Sequence, residues 1–543
     1  MGQSKTHNRK THNQRTHNQR THNRKHTTEN TQPKQKATMN SLPIIHEMGL
    51  ALERHTSDQY KVWKSNAKLK ATSIGQLYKL IMTGKYKKDE DLAKAMGYDS
   101  ANSTYRAIKS ELKKELENLF LYVKVKTPKG KPKDHHVKLQ FNKEFAGWLN
   151  MNLCGAGNAF ADRGESLYME AKRNDFTTEA SMILTRIMAT NVIFTNKEKY
   201  EKYKNEKIGL SKELSILDLG VKYFSKIQNL YANTKATKTY LYSEIEKDYL
   251  HFLSEAEGVS TPTIDKYRFL LKIYLHSSIN AHNVVFETAK AAIKHYEQFE
   301  NICVDATKSF NYYLMEGYAK HKDYDMMKCY AEENLELLEE GSLVWFKTIE
   351  IYAFCCLHLR QYAKAAELLL LATAHPLYDT INAIARDVFR FIEAHLHLLK
   401  EARVFVPAPK SDIGAAFLVD FKFARFASDL EITGDKQGLT IVEILLEIGF
   451  SIVRKKSEQL IDRMEAIEKF FQRHTDEEGH ERILAFLQLL KLGFKHNWKK
   501  SDIPAEALQP HYEALAASGI DFSNQRLDME FIDYLNFFEL LLR

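Results

Sequence analysis

A chain of 543 residues, 44 % of them hydrophobic, is long enough for several domains or one extended array and can build a sizeable core. Only 22 Gly and 10 Pro punctuate it, which favours long helices over many short strands joined by turns. The formal net charge is +8; no apolar run approaches the length of a membrane span, and no apolar segment follows the basic N-terminus as a secretory signal requires.

Residues 1–38 open with four tandem five-residue units, "THNRKTHNQRTHNQRTHNRK". They hold nine Lys and Arg against Glu29 alone, a balance of +8, so everything from Met39 onward sums to zero. A period of five matches neither helix nor strand, and no large apolar side chain stands between Met1 and Ala37. The segment can bury nothing and reads as a disordered, solvated tail. A basic arm for nucleic acid is a second reading. Weak capture of a soft metal by His7, His12, His17 and His22 is a third, although this spacing in a flexible chain fixes no coordination geometry. "MGQSKT" also fits a myristoylation pattern, one short enough to arise by chance.

Residues 39–142 read as a basic helical module. Between 61 and 140 there are 19 Lys and Arg against 8 acids. Ile74, Leu77, Leu80 and Ile81 mark one helical face. A second helix starts with the acids of "DED" at 89–91 and stops at Gly97. A third, capped by Ser100 or Asn102, carries the stripe Tyr105, Ile108, Leu112, Leu116 and Leu119. The period then changes to two. Leu121, Val123 and Val125 alternate with polar residues, as do Val137, Leu139 and Phe141, around the turn "TPKGKPKDHH".

Three helices followed by a β-hairpin over 121–141 resemble a winged helix-turn-helix, and Ala93 and Gly97 match that motif's packed Ala and turn Gly. The resemblance implies DNA contact by Arg106, Lys109 and Lys113 from the third helix. It implies phosphate contact by Lys124, Lys126, Lys129, Lys131 and Lys133 from the hairpin. Two departures stand against it. Ser103 and Arg106 fall where the motif places apolar residues, and Glu111, Glu115 and Glu117 would repel phosphate. The plain alternative is a small helical lid with solvated lysines.

From 143 to 405 helical periodicity dominates. "SLVWFKTIEIYAFCCLHLRQYAKAAELLLLATAHPLYD" resembles a tetratricopeptide repeat, a pair of antiparallel helices with small residues where they cross. Ala353, Ala365 and Ala372 take the small positions, Tyr362 opens the second helix, and Pro376 ends the unit. Ile349, Tyr352, Cys356 and Leu369 fill the space between. A neighbouring unit places Tyr324 thirty-eight residues before Tyr362, with Met315 and Met327 at its small positions. Long helices are expected over 210–231 and 235–257. Pro407 and Pro409 interrupt the helical pattern, and residues 406–543 return to helical pairs ending in "DMEFIDYLNFFELLLR", which closes the stack. The expected fold is therefore all-α, an irregular tetratricopeptide-like α-solenoid of helical hairpins with a winged-helix-like N-terminal module. The chain is also similar to a group of uncharacterised bacterial helical-repeat proteins, a likeness that supports the architecture and carries no activity.

Chemistry is sparse. "CGAGNAFADRG" fails the dinucleotide spacing and reads as a turn between helices. There is no phosphate loop, HExxH or GxSxG motif. His395 and His397 are two apart on a helix and diverge, and His135–His136 fall in the expected hairpin turn. The five cysteines include no CxxC and read as reduced, buried thiols of a cytoplasmic protein. No catalytic residue, cofactor or metal site is assigned, and the chain reads as a non-enzyme. What an array of this kind offers is a groove. The repeat pattern puts Lys347, Glu350, Phe354, Leu357 and His358 on its concave side, with Phe354 and Leu357 gripping an apolar side chain and Lys347 and His358 addressing carboxylates. Burial against the next repeat is the competing reading for these positions. The expected function is a non-catalytic scaffold for a protein or peptide partner. A DNA-binding regulator using residues 73–141 is the alternative, and an enzyme with a site of dispersed residues is a third possibility.

Overall fold

The computed structural model describes residues 42–54, 58–66, 72–86, 88–123, 134–189, 197–233, 238–299, 304–408, 411–430, 437–474, 481–517 and 530–542. The expected N-terminal tail lies outside them. Every regular element among the described residues is helical, and none of these helices is long and apolar enough to cross a membrane.

Helices α1 (Leu42–Arg54), α2 (Asp58–Ser65), α3 (Ser73–Met82), α4 (Asp89–Ala95) and α5 (Ser103–Phe120) form the N-terminal module. The three expected helices are present, and two more pack over them. Leu52, Tyr60, Leu77, Leu92, Leu112 and Leu116 are buried together in a core of their own. Asn102 caps α5, its side chain accepting from the backbone N–H groups of Thr104 (2.8 Å) and Tyr105 (3.2 Å). The α2 side chain Trp63 donates to Glu115 on α5 at 2.8 Å.

The expected β-hairpin requires correction. Residues 137–141, assigned to its second strand, lie inside α6 (Asp134–Leu153), as do His135 and His136. The alternation Val137–Leu139–Phe141 spans only five residues. From Phe141 a longer aromatic stripe runs on at helical spacing through Phe145 and Trp148. Trp148 stacks on Phe160 with ring centres 4.3 Å apart and donates its indole N–H to the Phe160 carbonyl at 2.8 Å. Burying Phe141 and Trp148, with Phe145 packed beside them, along one helical face outweighs a short two-residue period.

Beyond α6 the chain alternates between paired helices: α7 (Gly157–Arg173) and α8 (Thr177–Met188), α9 (Lys197–Asn233) and α10 (Lys238–Glu255), α11 (Pro262–Ser277) and α12 (His282–Tyr296), α13 (Val304–Lys320) and α14 (Tyr324–Leu337), α15 (Leu343–His358) and α16 (Tyr362–Thr373). Then comes α17 (Ala383–Glu401). Within each pair the helices pack on one another, and α9 packs on α11, α13 on α15, and α15 on α17. The first helices of these pairs thus lie side by side, whereas at the other junctions α8 packs on α9 and α12 on α13.

One local device builds four of these five pairs. At Asp175, Asn280, Lys322 and Arg360 the first helix ends on a residue with φ near +55 to +60°. The next N–H then bonds back to the carbonyl five residues earlier: Phe176 to Ala171, Ala281 to His276, Asp323 to Tyr318, and Gln361 to Cys356, all at 2.7–2.9 Å. This left-handed cap satisfies the orphan carbonyls and reverses the chain within three or four residues. The same turn recurs at Arg403, Lys455 and Asn497. The tetratricopeptide-like positions also pack as expected. Ala353, Ala365 and Ala372 are fully buried at the α15–α16 crossing, with Ile349, Tyr352 and Cys356 beside them.

Residues 404–408, including Pro407, are non-helical. Then follow α18 (Asp412–Ala416), α19 (Phe423–Asp429), α20 (Gln437–Val453), α21 (Ser457–His474), α22 (Glu481–Lys495), α23 (Ala505–Ala517) and α24 (Tyr534–Leu541). α20 packs on α17, and α24 packs on α20, α22 and α23. One continuous apolar core runs from Met315 to Leu541.

Candidate functional site: a trough and the segment seated in it

The side chains placed on the groove face of α15 do not face open solvent. Leu357 is fully buried, and Glu350, Phe354 and His358 are buried as well. Only Lys347 stays partly exposed, its ammonium 2.6 Å from Glu350. What meets Phe354 and His358 is the chain's own residues 530–533, a bent, non-helical stretch that leads into α24.

Three walls hold that stretch. From α15, Phe354 packs on Phe531 with ring centres 4.5 Å apart, and the His358 Nε2–H donates to the Glu530 carbonyl. From α17, His395 stacks flat on Phe531 at 4.7 Å, and Phe391 packs on it at 5.6 Å. From α22, the Arg482 guanidinium donates to both Glu530 carboxylate oxygens, at 2.6 and 2.8 Å, and reaches Asp533 at 3.3 Å. Arg482 also donates to the Leu515 carbonyl. The Glu530 carboxylate further accepts the backbone N–H of Tyr534 at 2.6 Å, and Asp533 caps α24 by accepting from Leu535 and Asn536. At the rim, Arg360 pairs with Asn536 and lies 3.5 Å from Glu539.

The electrostatics follow from burial. Desolvation pushes the Glu530 carboxyl up to about 7 against the pull of Arg482. It pushes His358 and His395 down to about 4, so both rings are neutral at pH 7. The His395 Nδ1–H donates to the Phe391 carbonyl at 2.7 Å, which fixes the ring for stacking. His397 points elsewhere, onto Phe417 and Phe421, so the two histidines diverge as their spacing requires. Burial holds the Cys355 and Cys356 thiols well above their ordinary range, whereas Cys154 and Cys329 are exposed, against the expectation that all the thiols are buried.

His358, Glu530 and Asp533 bring one donor atom each within 4.8 Å of one another. Arg482 already engages both carboxylates and supplies the compensating positive charge, so the set is closed as an ion-pair network rather than arranged as a cation site.

Of the residues of the DNA reading, Arg106, Lys109 and Lys113 lie on α5. Lys109 is ion-paired with Asp89 at 2.6 Å and largely covered. Lys113 lies 3.7 Å from Glu117, and the Arg106 side chain turns back to the Ser100 carbonyl at 3.4 Å. Lys124, Lys126, Lys129, Lys131 and Lys133 lie outside the described residues.

Sequence reasoning missed Arg482, Glu530, Phe531 and His395 as parts of one site. A signal existed for Arg482: it stands three and four residues before Ala485 and Phe486, on the buried stripe of its helix, where a charge demands a buried partner. Nothing local marks Glu530 as that partner, 48 residues away.

Among the described residues, fold and site together define an all-helical arrangement of paired helices in which residues 530–533 are held between α15, α17 and α22. Comparison with protein-family models, curated proteins and solved structures finds no match to the chain.

Proposed function

We propose that the chain is a non-catalytic helical-repeat scaffold, a tetratricopeptide-like α-solenoid of the cytoplasm that binds a protein or peptide partner along the face formed by the first helices of its pairs. The observation that carries this reading is the mode in which residues 530–533 are held. A non-helical backbone is gripped by a histidine on its carbonyl, its glutamate by a guanidinium, and its aromatic side chain by three rings. Helix arrays use such surfaces for peptide recognition, with a few anchored side chains setting specificity. The non-catalytic reading is supported by the commitment of Arg482, Glu530, Asp533 and His358 to one another and to backbone.

The test starts from partners cross-linked to the full chain and mapped by mass spectrometry, each then made and titrated against pure protein by calorimetry. Lys347→Glu with Phe354→Ala should weaken a true partner by at least about tenfold while leaving the helical circular dichroism intact. Equal affinity in the double variant places binding elsewhere and refutes the trough as its site.

A further inference from the structure

We propose that residues 530–541 are an internal ligand, and that the partner of the trough is a segment of the same chemistry. Such a segment carries a glutamate, an aromatic residue directly after it, and an aspartate three residues after the glutamate that caps a short apolar helix. The inference rests on the scaffold reading and names its partner class.

Three features separate this arrangement from a closing helix that merely fills a core. First, the grip on residues 530–533 is polar as well as apolar. A buried guanidinium–carboxylate pair adds little stability over apolar packing but strongly penalises a segment that lacks the carboxylate. Arg482 therefore reads a glutamate at that position. Second, His358 holds the backbone carbonyl of Glu530, a contact any peptide in the same register can make. Third, the ring pocket of Phe354, Phe391 and His395 surrounds one side chain, Phe531, and so reads the residue after the glutamate. Asp533 adds a requirement on the helix that follows, because its carboxylate both caps α24 and meets Arg482. A tethered occupant has a local concentration on the order of millimolar, so a free segment competes poorly until the tethered one is weakened.

The experiment uses the full chain and a fluorescein-labelled peptide of residues 528–543, "DMEFIDYLNFFELLLR", followed by anisotropy. Glu530→Gln and, separately, Phe531→Ala weaken the tethered segment and leave the trough intact. Each should bind the peptide at least about tenfold tighter than the parent does. The gain should vanish when Arg482→Met is added to Glu530→Gln, and it should be absent for a peptide carrying Glu530→Gln and Phe531→Ala. Variants that keep the parent's helical signal but bind no tighter overturn the proposal, as does equal binding of the altered peptide. Loss of the helical signal in both single variants overturns it too, because the segment is then a permanent part of the core. A doubled mass in light scattering, with the segment exchanged between two copies, also contradicts it. If the peptide fails while an identified partner still depends on Lys347 and Phe354, this inference falls and the scaffold reading stands.

Discussion

Arg482 shows how a single residue organises the site. Its guanidinium is largely buried and faces two carboxylates, so removing it strands Glu530 in a setting that already disfavours its charge. Arg482→Met should cost about 3–5 kcal/mol in urea denaturation, and adding Glu530→Met should recover most of that loss. Recovery is the informative half, because it separates an uncompensated charge from lost packing. The histidines set the acid limit. His358 and His395 titrate near 4 when folded and near 6.5 when unfolded, so the unfolded chain takes up protons first as pH falls. Stability is then lost between about pH 6.5 and 4, by about 2 kcal/mol per ring on going from 6.5 to 5. Glu530, shifted upward, acts in the opposite sense between its ordinary value and about 7 and offsets part of this. Thermal melts should therefore show a lower Tm at pH 5 than at pH 7, with the difference reduced in His395→Gln. At this scale the sequence was half legible. Phe354 and His358 share one face of α15, but the residues that meet them lie about 170 positions away, beyond any local pattern.

The element scale was read better, because apolar periodicity reports which helix face is buried regardless of what buries it. The expected helices of the N-terminal module, the long pair near 210 and 240, and the α15–α16 unit all form. At 137–141 a five-residue alternation is overridden by the aromatic stripe that continues it into a helix. The recurrent left-handed turns were missed because glycine is their usual marker, and here Asp, Asn, Lys and Arg take the position. A bulky residue there is strained, by roughly 1 kcal/mol. Lys322→Gly should accordingly raise the urea midpoint, by the equivalent of about 0.5–1 kcal/mol, whereas Lys322→Val should lower it. Close helix approach has its own signature at Gly317, where an added methyl group would overlap the Phe286 ring. Gly317→Ala should destabilise the α12–α13 crossing by about 1–3 kcal/mol.

At the scale of the molecule, one apolar core joins the later helical pairs to the C-terminal helices, and the trough lies where the two meet. The basic N-terminal module keeps a separate core, and its best-placed lysine, Lys109, is committed to Asp89. Duplex DNA binding by the full chain that weakens steeply with salt is therefore not expected, and its detection, with loss on Arg106→Glu, would restore the regulator reading. The seating of residues 530–541 in the trough is tested most directly by amide hydrogen exchange read by mass spectrometry, comparing the parent with Glu530→Gln. The expected result is faster exchange confined to residues 530–541 and the facing parts of α15, α17, α20, α22 and α23, with α3 and α5 unchanged. Unchanged exchange throughout, or acceleration spread evenly over the chain, would contradict a discrete segment held by that trough.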